Sequence, residues 1–367
     1  MKNSFGTSVA VTLFGESHGP AVGAVIDGLA PGIDIDMEYI RARLESRKPY
    51  GSISTPRREK DDFQIVSGVF EGKTTGTPLC VIVPNTAQKS SDYEADRPLA
   101  RPGHADYTAY VKYHGYEDYR GGGHFSGRIT VALVAAGAIC QSALSKKGIS
   151  IGTHISRLAG IDDSRFSLNE GDLKKEIDCL GNRRFAVIDE QKAEVMQEAI
   201  KEAASDGDSV GGILETAVAG LPAGIGEPWF DSLEGVLSHA LFSIPGIKGV
   251  QFGGGFDLVD ARGSEYNDAL RMKGSRVVSL TNNNGGINGG ISNGMPLMFS
   301  CAVKPTPSIH IAQETVDFVK GEDVDIETGG RHDPAIIHRA RVVVDSVTAL
   351  VLADQLALRY GTDWLMP

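Results

Sequence analysis

The sequence predicts a mixed fold of helices and strands that is built from two related halves. Apolar residues recur at helical spacing in five segments and form strand-like runs rich in Val, Ile and Thr in six others. The predicted helices span residues 37–47, 129–147, 191–205, 232–242 and 344–360. The predicted strands span residues 8–13, 22–26, 79–83, 213–219, 276–280 and 298–303.

The two halves are indicated by a short internal repeat. Residues 24–33 read Ala-Val-Ile-Asp-Gly-Leu-Ala-Pro-Gly-Ile, and residues 216–225 read Thr-Ala-Val-Ala-Gly-Leu-Pro-Ala-Gly-Ile. An aspartate follows each copy, Asp36 or Asp231, and is placed to cap a helix that runs to a proline. We therefore expect two strand–turn–helix units that face a shared site.

The composition is that of a globular protein with a substantial core. The chain has 367 residues, of which 41% are hydrophobic, and no Gly/Ser linker divides it, so a single domain over residues 1–367 is expected. The first residues show no signal-peptide pattern, and the longest nearly apolar run, 129–140, is shorter than the roughly 20 residues that cross a bilayer. We expect a cytoplasmic protein with no membrane partner.

The charge distribution points to a small anionic ligand. The net charge of −11 argues against nucleic acid as a partner, because sequence-independent binding to phosphate backbones needs positive charge. Residues 41–60 nevertheless carry seven basic residues against two glutamates, a local charge of +5. Arginine binds phosphate and carboxylate with two parallel hydrogen bonds, so we expect a polyanion there. A solvated helix face is the alternative.

Two histidines lie in polar, glycine-bearing runs that fit neither a helix interior nor a strand interior. His18 belongs to Phe14-Gly-Glu-Ser-His-Gly19, and His104 belongs to Arg101-Pro-Gly-His-Ala-Asp106. A loop imidazole titrates near neutrality and suits proton transfer, although a histidine bonded to backbone is the structural alternative. The nine histidines show no metal-ligand spacing, so no metal is expected.

Glycine-rich and cationic runs complete the candidate site. Residues 119–128, 252–257 and 281–294 combine glycines with polar side chains, which lets a backbone approach a flat ligand or an anion. Long hairpin loops are the alternative. The runs Lys304-Pro-Thr-Pro-Ser308 and Gly330-Arg-His-Asp-Pro334 suit the recognition of phosphate or carboxylate.

Taken together, these runs closely resemble the chorismate synthase family. The resemblance rests on seven runs that occur in the family's order along nearly the whole chain: Gly15-Glu-Ser-His-Gly19, Arg57-Arg-Glu59, Gly68-Val-Phe-Glu-Gly72, Arg101-Pro-Gly-His-Ala-Asp-Tyr107, Tyr119-Arg-Gly-Gly-Gly123, Gly285-Gly-Ile-Asn-Gly-Gly-Ile-Ser292 and Gly330-Arg-His-Asp-Pro334. The chain length is that of the monofunctional form, without an appended flavin reductase.

The resemblance implies a fold and a reaction. The fold is α+β, a sandwich in which a helical core layer lies between antiparallel sheets. The enzyme is a lyase of the shikimate pathway of aromatic amino-acid biosynthesis. It carries out the anti-1,4-elimination of phosphate from 5-enolpyruvylshikimate 3-phosphate to give chorismate, and it needs reduced FMN although there is no net redox change. NADPH or an external flavin reductase is the expected source of electrons, and a homotetramer is the expected assembly.

The resemblance also implies roles for individual residues. The family's catalytic residues correspond to five residues of this chain. His18 would face the departing phosphate, and His104 and Asp333 would lie near the flavin. Ser17 and Ser126 would belong to the proton network. The flavin contacts correspond to His124, Phe125, Ser126, Pro245, Gly246, Gly289, Lys304, Pro305, Thr306, Pro307, Ser308 and Arg331. The residues that would bind the anionic groups of substrate or NADP are Arg47, Lys48, Arg57 and Arg128.

One stretch departs from the family's usual pattern. The family reads Arg-Ser-Ser-Ala-Arg-Glu-Thr where this chain has His124-Phe-Ser-Gly-Arg-Ile-Thr130, so a flavin-side arginine is replaced by histidine. A second anion-binding arginine is absent after the Arg47 turn.

Two other functions fit the residues alone. A metal-independent phosphotransferase or phosphatase would use the arginines with a histidine nucleophile and would turn over without flavin. A non-catalytic protein that binds anions or nucleotides would keep its ligand affinity when His18 and His104 are replaced by alanine.

Overall fold

The helices of the computed structural model follow the predicted apolar segments closely. The structure describes residues 2–55, 60–86, 98–328 and 332–367. Within these ranges the α-helices are α1 (Met37–Arg47), α2 (Asp106–Tyr113), α3 (Thr130–Lys146), α4 (Glu170–Gly181), α5 (Glu190–Ser205), α6 (Leu233–Leu241), α7 (Gly263–Tyr266) and α8 (Ile337–Tyr360).

The strands form two large sheets and four small hairpins, and all pairs in the described ranges are antiparallel. They are β1 (Ser4–Phe5), β2 (Ala10–Gly15), β3 (Ala21–Asp27), β4 (Gln64–Ser67), β5 (Val69–Phe70), β6 (Lys73–Thr74), β7 (Leu79–Pro84), β8 (Ser150–Leu158), β9 (Ile161–Asp162), β10 (Gly212–Ala219), β11 (Ile247–Phe252), β12 (Leu270–Lys273), β13 (Arg276–Ser279), β14 (Ile287–Asn288), β15 (Ile291–Ser292), β16 (Leu297–Val303), β17 (Gln313–Asp317) and β18 (Glu322–Ile326).

The two large sheets have the same topology, which confirms the internal repeat. The first has the order β1-β2-β3-β7-β4 and the second has the order β11-β16-β10-β8-β9. We leave out the edge strands β1 and β9 and number the remaining four strands of each half as they occur along the chain. Across the first sheet, from β2 to β4, and across the second, from β8 to β11, the strands then follow the same order: first, second, fourth, third. A helix follows the second strand in each half, α1 or α6, and a long helix follows the fourth, α3 or α8.

The repeated glycines end equivalent strands for the same steric reason. Gly28 follows β3 and Gly220 follows β10, and both have a φ of +83°. A Cβ would lie 1.7 Å from the carbonyl oxygen of Ser8 at the first position and 2.2 Å from that of Gly148 at the second. Only glycine has both the backbone freedom and the space for this close approach.

A single layer of helices fills the space between the sheets. Helix α3 packs against α8, and α1 packs against both, while α6 packs against α8. The first sheet contacts α3 and the second contacts α8, so one apolar layer serves both. Helix α4 covers the other face of the second sheet. The predicted α+β sandwich with a helical core layer is confirmed.

Helix α3 is apolar on nearly every side because it is buried on nearly every side. Residues 127–146 are long and apolar enough to cross a membrane by length and composition, yet 83% of the apolar window is buried inside the fold. That burial is typical of a core helix. Helices α3 and α8 approach most closely at Gly137, where a Cβ would lie 2.4 Å from the Cβ of Ser346.

Some boundaries and caps differ from the sequence prediction. Asp36 caps α1 as expected, accepting a hydrogen bond from the backbone N–H of Tyr39. The prediction that Asp231 caps α6 is wrong. Ser232, the residue before α6, is the cap, because its side chain accepts a hydrogen bond from the N–H of Gly235. Strand β8 was not predicted, since its polar residues dilute the apolar pattern although most of the strand is buried. Helix α8 begins at Ile337, seven residues before the predicted start. The prediction missed its first two turns because three basic residues there interrupt the apolar pattern.

We predict that Gly137→Ala lowers the free energy of unfolding by about 1–3 kcal/mol, because the added methyl group overpacks the contact between α3 and α8. The matched control is Gly181→Ala in α4, where nothing lies within 4 Å of the added Cβ. That variant should be neutral or stabilised by up to about 1 kcal/mol through helix propensity. Urea denaturation measures both, and equal effects of the two substitutions would contradict the steric argument.

Candidate active site

A large cavity opens where the two repeated helices end. Its volume is about 1340 Å³, larger than the roughly 300–1,000 Å³ of a pocket for one small ligand. Residues 47–49 at the end of α1 and residues 244–246 after α6 both line it. One cavity therefore lies at the equivalent ends of the two repeated helices, where the repeat predicted a shared site.

The cavity collects most of the residues that the resemblance implies. Those in its wall are Ser17, His18, Arg47, Lys48, His104, His124, Phe125, Ser126, Arg128, Pro245, Gly246, Lys304, Pro305, Thr306, Pro307, Ser308 and Asp333. Arg57 and Arg331 lie outside the described residues. These side chains come from both halves of the chain, and the sequence separates the first of them, Ser17, from the last, Asp333, by more than 300 residues.

Gly289 is the one expected site residue in the described ranges that does not line this cavity. It lies in the turn between β14 and β15, is exposed, and has a φ of +62°. The turn needs glycine for its backbone conformation, which accounts for the residue type without a ligand. Its assignment as a flavin contact stays a prediction.

A turn of three glycines packs against both histidines. Gly121, Gly122 and Gly123 all have positive φ. A Cβ on Gly121 would lie 2.2 Å from Cε1 of His18, and a Cβ on Gly122 would lie 3.3 Å from Cε1 of His104. The carbonyl of Gly123 accepts a hydrogen bond from the N–H of Ser17 at 3.0 Å. The turn therefore sets the positions of both imidazoles through contacts that side chains would prevent.

The two imidazoles differ in their surroundings. His18 follows β2 in a turn and is 4% exposed, beside the equally buried Ser17. His104 precedes α2, is partly exposed, and has its Nδ1 2.7 Å from Oδ1 of Asp106. Both lie in loops, as predicted from their glycine-bearing runs.

Buried charges form one wall of the cavity. The carboxylate of Asp61 lies between two guanidinium groups, 3.1 Å from Nη2 of Arg47 and in direct contact with Nη1 of Arg128. Burial raises the pKa of Asp61, but the two arginines outweigh it, so the carboxyl pKa is lowered overall. The group of three carries a net charge of +1, which leaves an attraction for anions in the cavity.

Asp333 is held by a second arginine and by backbone. Its carboxylate pairs with Arg339 and accepts a hydrogen bond from the N–H of Thr55 at 2.8 Å. Arg339 also donates from Nε to the carbonyl of Arg47 at 2.9 Å. These bonds link the start of α8 to the end of α1, so the predicted acid residue is anchored to the arginine wall.

The opposite wall carries the run from Lys304 to Ser308. Lys304 donates from Nζ to the carbonyl of Gly103, and its N–H bonds the carbonyl of Gly246. Burial, together with the nearby charge of Lys248, lowers the pKa of Lys304. Within the described part of the chain, the buried Oγ1 of Thr306 has no hydrogen-bond partner. An ammonium group and an unsatisfied hydroxyl fit the polar groups of a flavin phosphate chain.

The unusual pair His124 and Phe125 also lies in the cavity wall. His124 has Nδ1 2.8 Å from the carbonyl oxygen of Gly15, so Nδ1 donates to that oxygen. Phe125 is 39% exposed, and its ring meets Tyr113 edge to face at 6.0 Å. This wall therefore presents two rings where the family's usual pattern has an arginine and a serine.

Several residues of the site were not predicted from the sequence. Asp106 and Arg101 lie in the same short run as His104, so the run itself contained the signal. Arg339 follows a predicted anion-binding run by a few residues. Asp61 has no local signal, because its two arginine partners are 14 and 67 residues away in sequence.

A buried histidine that does not line the cavity contacts the segment that carries Thr55. His338 in α8 has its Nε2 2.7 Å from Oγ of Ser54, the residue before Thr55. Burial is the main reason that its pKa is lowered to about 4. The imidazole is therefore neutral in the folded protein near neutral pH.

Comparisons with known proteins agree on one family. A sequence profile of the chorismate synthase family matches residues 9–357. The chorismate synthase of Thermococcus kodakarensis is 45% identical over 354 residues, covering 96% of this chain and 97% of that protein. The chorismate synthase of Dehalococcoides mccartyi is 44% identical over 369 residues, covering 98% of each. A chorismate synthase crystal structure superimposes with a TM-score of 0.77 at 28% identity, covering 97% of this chain and 94% of that one.

We predict that His338 makes folding stability depend on pH between about 4 and 6.5. Its pKa is lower in the folded than in the unfolded chain, so the unfolded chain binds more protons in this window. The stabilisation is therefore complete above about pH 6.5 and is lost as the pH falls towards 4. From pH 4 to 7, the wild type should gain about 3 kcal/mol more than His338→Gln. Urea denaturation at both pH values tests this, and parallel pH dependences would refute it.

Proposed function

The chain belongs to the chorismate synthase family, and from that premise we propose that the cavity between the ends of α1 and α6 is its reaction site. The reaction is the elimination of phosphate from 5-enolpyruvylshikimate 3-phosphate to give chorismate. The observation that carries the proposal is the glycine turn, which packs against His18 and His104 at the wall of one cationic cavity.

The arginine wall is the part of the cavity that suits the substrate. The substrate carries two carboxylates and a phosphate, and guanidinium groups bind such anions in a bidentate manner. Arg47 and Arg128 are already fixed by Asp61, so little side-chain entropy is lost when an anion binds. We assign substrate binding to Arg47, Lys48 and Arg128, and Arg57 stays a prediction for the same role.

The histidines divide the proton transfers. Elimination breaks a C–H bond and a C–O bond, so one proton leaves a carbon and the departing phosphate gains from receiving another. We assign His18, with Ser17 beside it, to donate a proton to the phosphate. We assign His104, Asp333 and Ser126 to proton transfer on the cofactor side, with His104 protonating the flavin ring and Asp333 assisting the transfer.

The chorismate synthase family depends on reduced FMN, and the remaining wall suits this group. When bound, reduced FMN supplies transient electron donation that helps the phosphate leave. The volume of the cavity exceeds that of a pocket for one ligand, which leaves room for both FMN and substrate. The residues assigned to hold FMN are His124, Phe125, Ser126, Pro245, Gly246, Lys304, Pro305, Thr306, Pro307 and Ser308, with Gly289 and Arg331 as further predictions.

The remaining expectations concern the partners of the enzyme. NADPH or a separate flavin reductase is proposed to supply electrons, and the cytoplasm is the proposed location. A homotetramer is supported by apolar side chains at the surface of the chain, among them Trp229 at 86% and Phe230 at 96% exposed. Exposed aromatic residues of this size are typical of subunit contacts.

The decisive experiment is an anaerobic assay of chorismate formation with and without reduced FMN. We expect chorismate only when reduced FMN is present. Phosphate release without flavin would favour a phosphatase, and an absence of chorismate under both conditions would refute the proposal. Oxidised FMN under the same conditions controls for binding without electron supply.

We predict that His18→Ala and His104→Ala each lower turnover at least about tenfold, because general acid–base groups typically contribute 10²–10⁴-fold. The control is His239→Ala, since His239 is exposed on α6 and does not line the cavity. Thermal melting of each variant separates loss of chemistry from loss of folding. Near-normal rates in both cavity variants would remove these histidines from the mechanism.

A further inference from the structure

We propose that Asp106 is a positioning residue that fixes the tautomer of His104, so that Nδ1 carries the proton and Nε2 is presented to the cavity. This inference rests on the proposed function of the cavity and deepens it. Asp106 acts through the imidazole and is not assigned a contact with substrate or flavin.

The short distance between the two side chains determines which nitrogen is protonated. Oδ1 of Asp106 lies 2.7 Å from Nδ1 of His104. An ionised carboxylate is only an acceptor, so an unprotonated Nδ1 would bring two lone pairs together at this distance. Nδ1 therefore donates its hydrogen to Oδ1, and in the neutral ring Nε2 must be the acceptor.

Arg101 keeps the carboxylate ionised and fixed in place. Its backbone N–H and Nε donate to Oδ2 of Asp106 at 3.0 and 2.8 Å, and its Nη2 donates to Oδ1 at 2.7 Å. Burial raises the pKa of Asp106, but the hydrogen bonds from Arg101 and His104 outweigh it and bring the pKa well below its usual value. Nη2 of Arg101 also lies 3.0 Å from Nδ1 of His104, but both nitrogens are closer to Oδ1 of Asp106, at 2.7 Å. The acceptor-only carboxylate therefore receives a hydrogen from each of them, and Nη2 is not a hydrogen-bond partner of Nδ1 in this arrangement.

The other side of the imidazole faces the glycine turn and the cavity. A Cβ on Gly122 would lie 3.5 Å from Nε2 of His104, so glycine keeps this nitrogen accessible. Across the ranges that the structure describes, Nε2 forms no hydrogen bond, and the His104 side chain remains 20% exposed. One ring nitrogen is committed to Asp106, and the other is left for exchange of a proton with a ligand.

This arrangement has two consequences for proton transfer. The carboxylate selects the tautomer whose lone pair lies at Nε2, and it stabilises the imidazolium that forms when Nε2 accepts a proton. An amide at position 106 keeps the shape of the side chain but has no charge. Its NH₂ group also favours an unprotonated Nδ1, which puts the hydrogen on Nε2.

The first test is a double-mutant cycle measured as chorismate turnover with reduced FMN. We expect Asp106→Asn to lower turnover by about tenfold or more in the wild-type background, though by no more than His104→Ala does, and by less than about twofold in the His104→Ala background. An equal loss in both backgrounds would mean a structural role and would overturn the proposal. Asp34→Asn removes the partner of the exposed Lys73 and Lys146 and controls for loss of an ion pair.

The second test reads the tautomer directly and needs neither flavin nor substrate. Nitrogen-15 NMR of the imidazoles, with the His104 signals assigned by their loss in His104→Ala, should show a proton on Nδ1 in the wild type. In Asp106→Asn the proton should move to Nε2 or become distributed over both nitrogens. An unchanged tautomer in Asp106→Asn would refute the proposal.

The two tests separate this inference from the proposed function. If the wild type forms no chorismate, the proposed function fails, whereas the tautomer measurement still tests Asp106. If the wild type turns over and the tautomer does not respond to Asp106→Asn, only the positioning role fails.

Discussion

One layer of helices serves both sheets, and the position of the cavity depends on that sharing. Because α3 and α8 are buried between the sheets, the main apolar core is shared by both halves, and a smaller apolar cluster lies under α4 in the second half. The equivalent helices α1 and α6 therefore end at one place, where residues 47–49 and 244–246 meet a common space. A cavity lined from both halves of the chain follows from how the apolar surface is buried.

Within that space, rigidity comes from backbone as much as from side chains. The glycine turn at residues 121–123 sets the depth of both histidines, and ion pairs hold Asp61 and Asp333. Arg47, Arg128 and Asp333 are thus held in place before a ligand arrives. Such preorganisation lowers the cost of arranging charges during the reaction, which is a large part of electrostatic catalysis.

The sequence predicts segments with strong periodicity well and predicts long-range pairing poorly. Helix α1 has its predicted bounds, strand β3 is one residue longer than predicted at each end, and strand β10 is one residue longer at its start. These bounds are predicted well because apolar spacing and the glycine turns define them locally. Strand β8 was missed, since its burial comes from both neighbouring layers and not from its own pattern. The two histidines were found through their loops, whereas Asp61 acquires its role only when folding brings it between Arg47 and Arg128.

The contact between α3 and α8 also bears on how the chain can be divided. The first half, up to α3, has an apolar sheet face and a central helix that only α8 of the second half covers completely. A cut in the connection between α3 and β8, near Gly148, leaves two fragments of similar topology, each with a large exposed apolar surface. Because each fragment would expose apolar surface that the intact chain buries, we expect the halves to behave as complementary fragments of one folding unit and not as two independent modules.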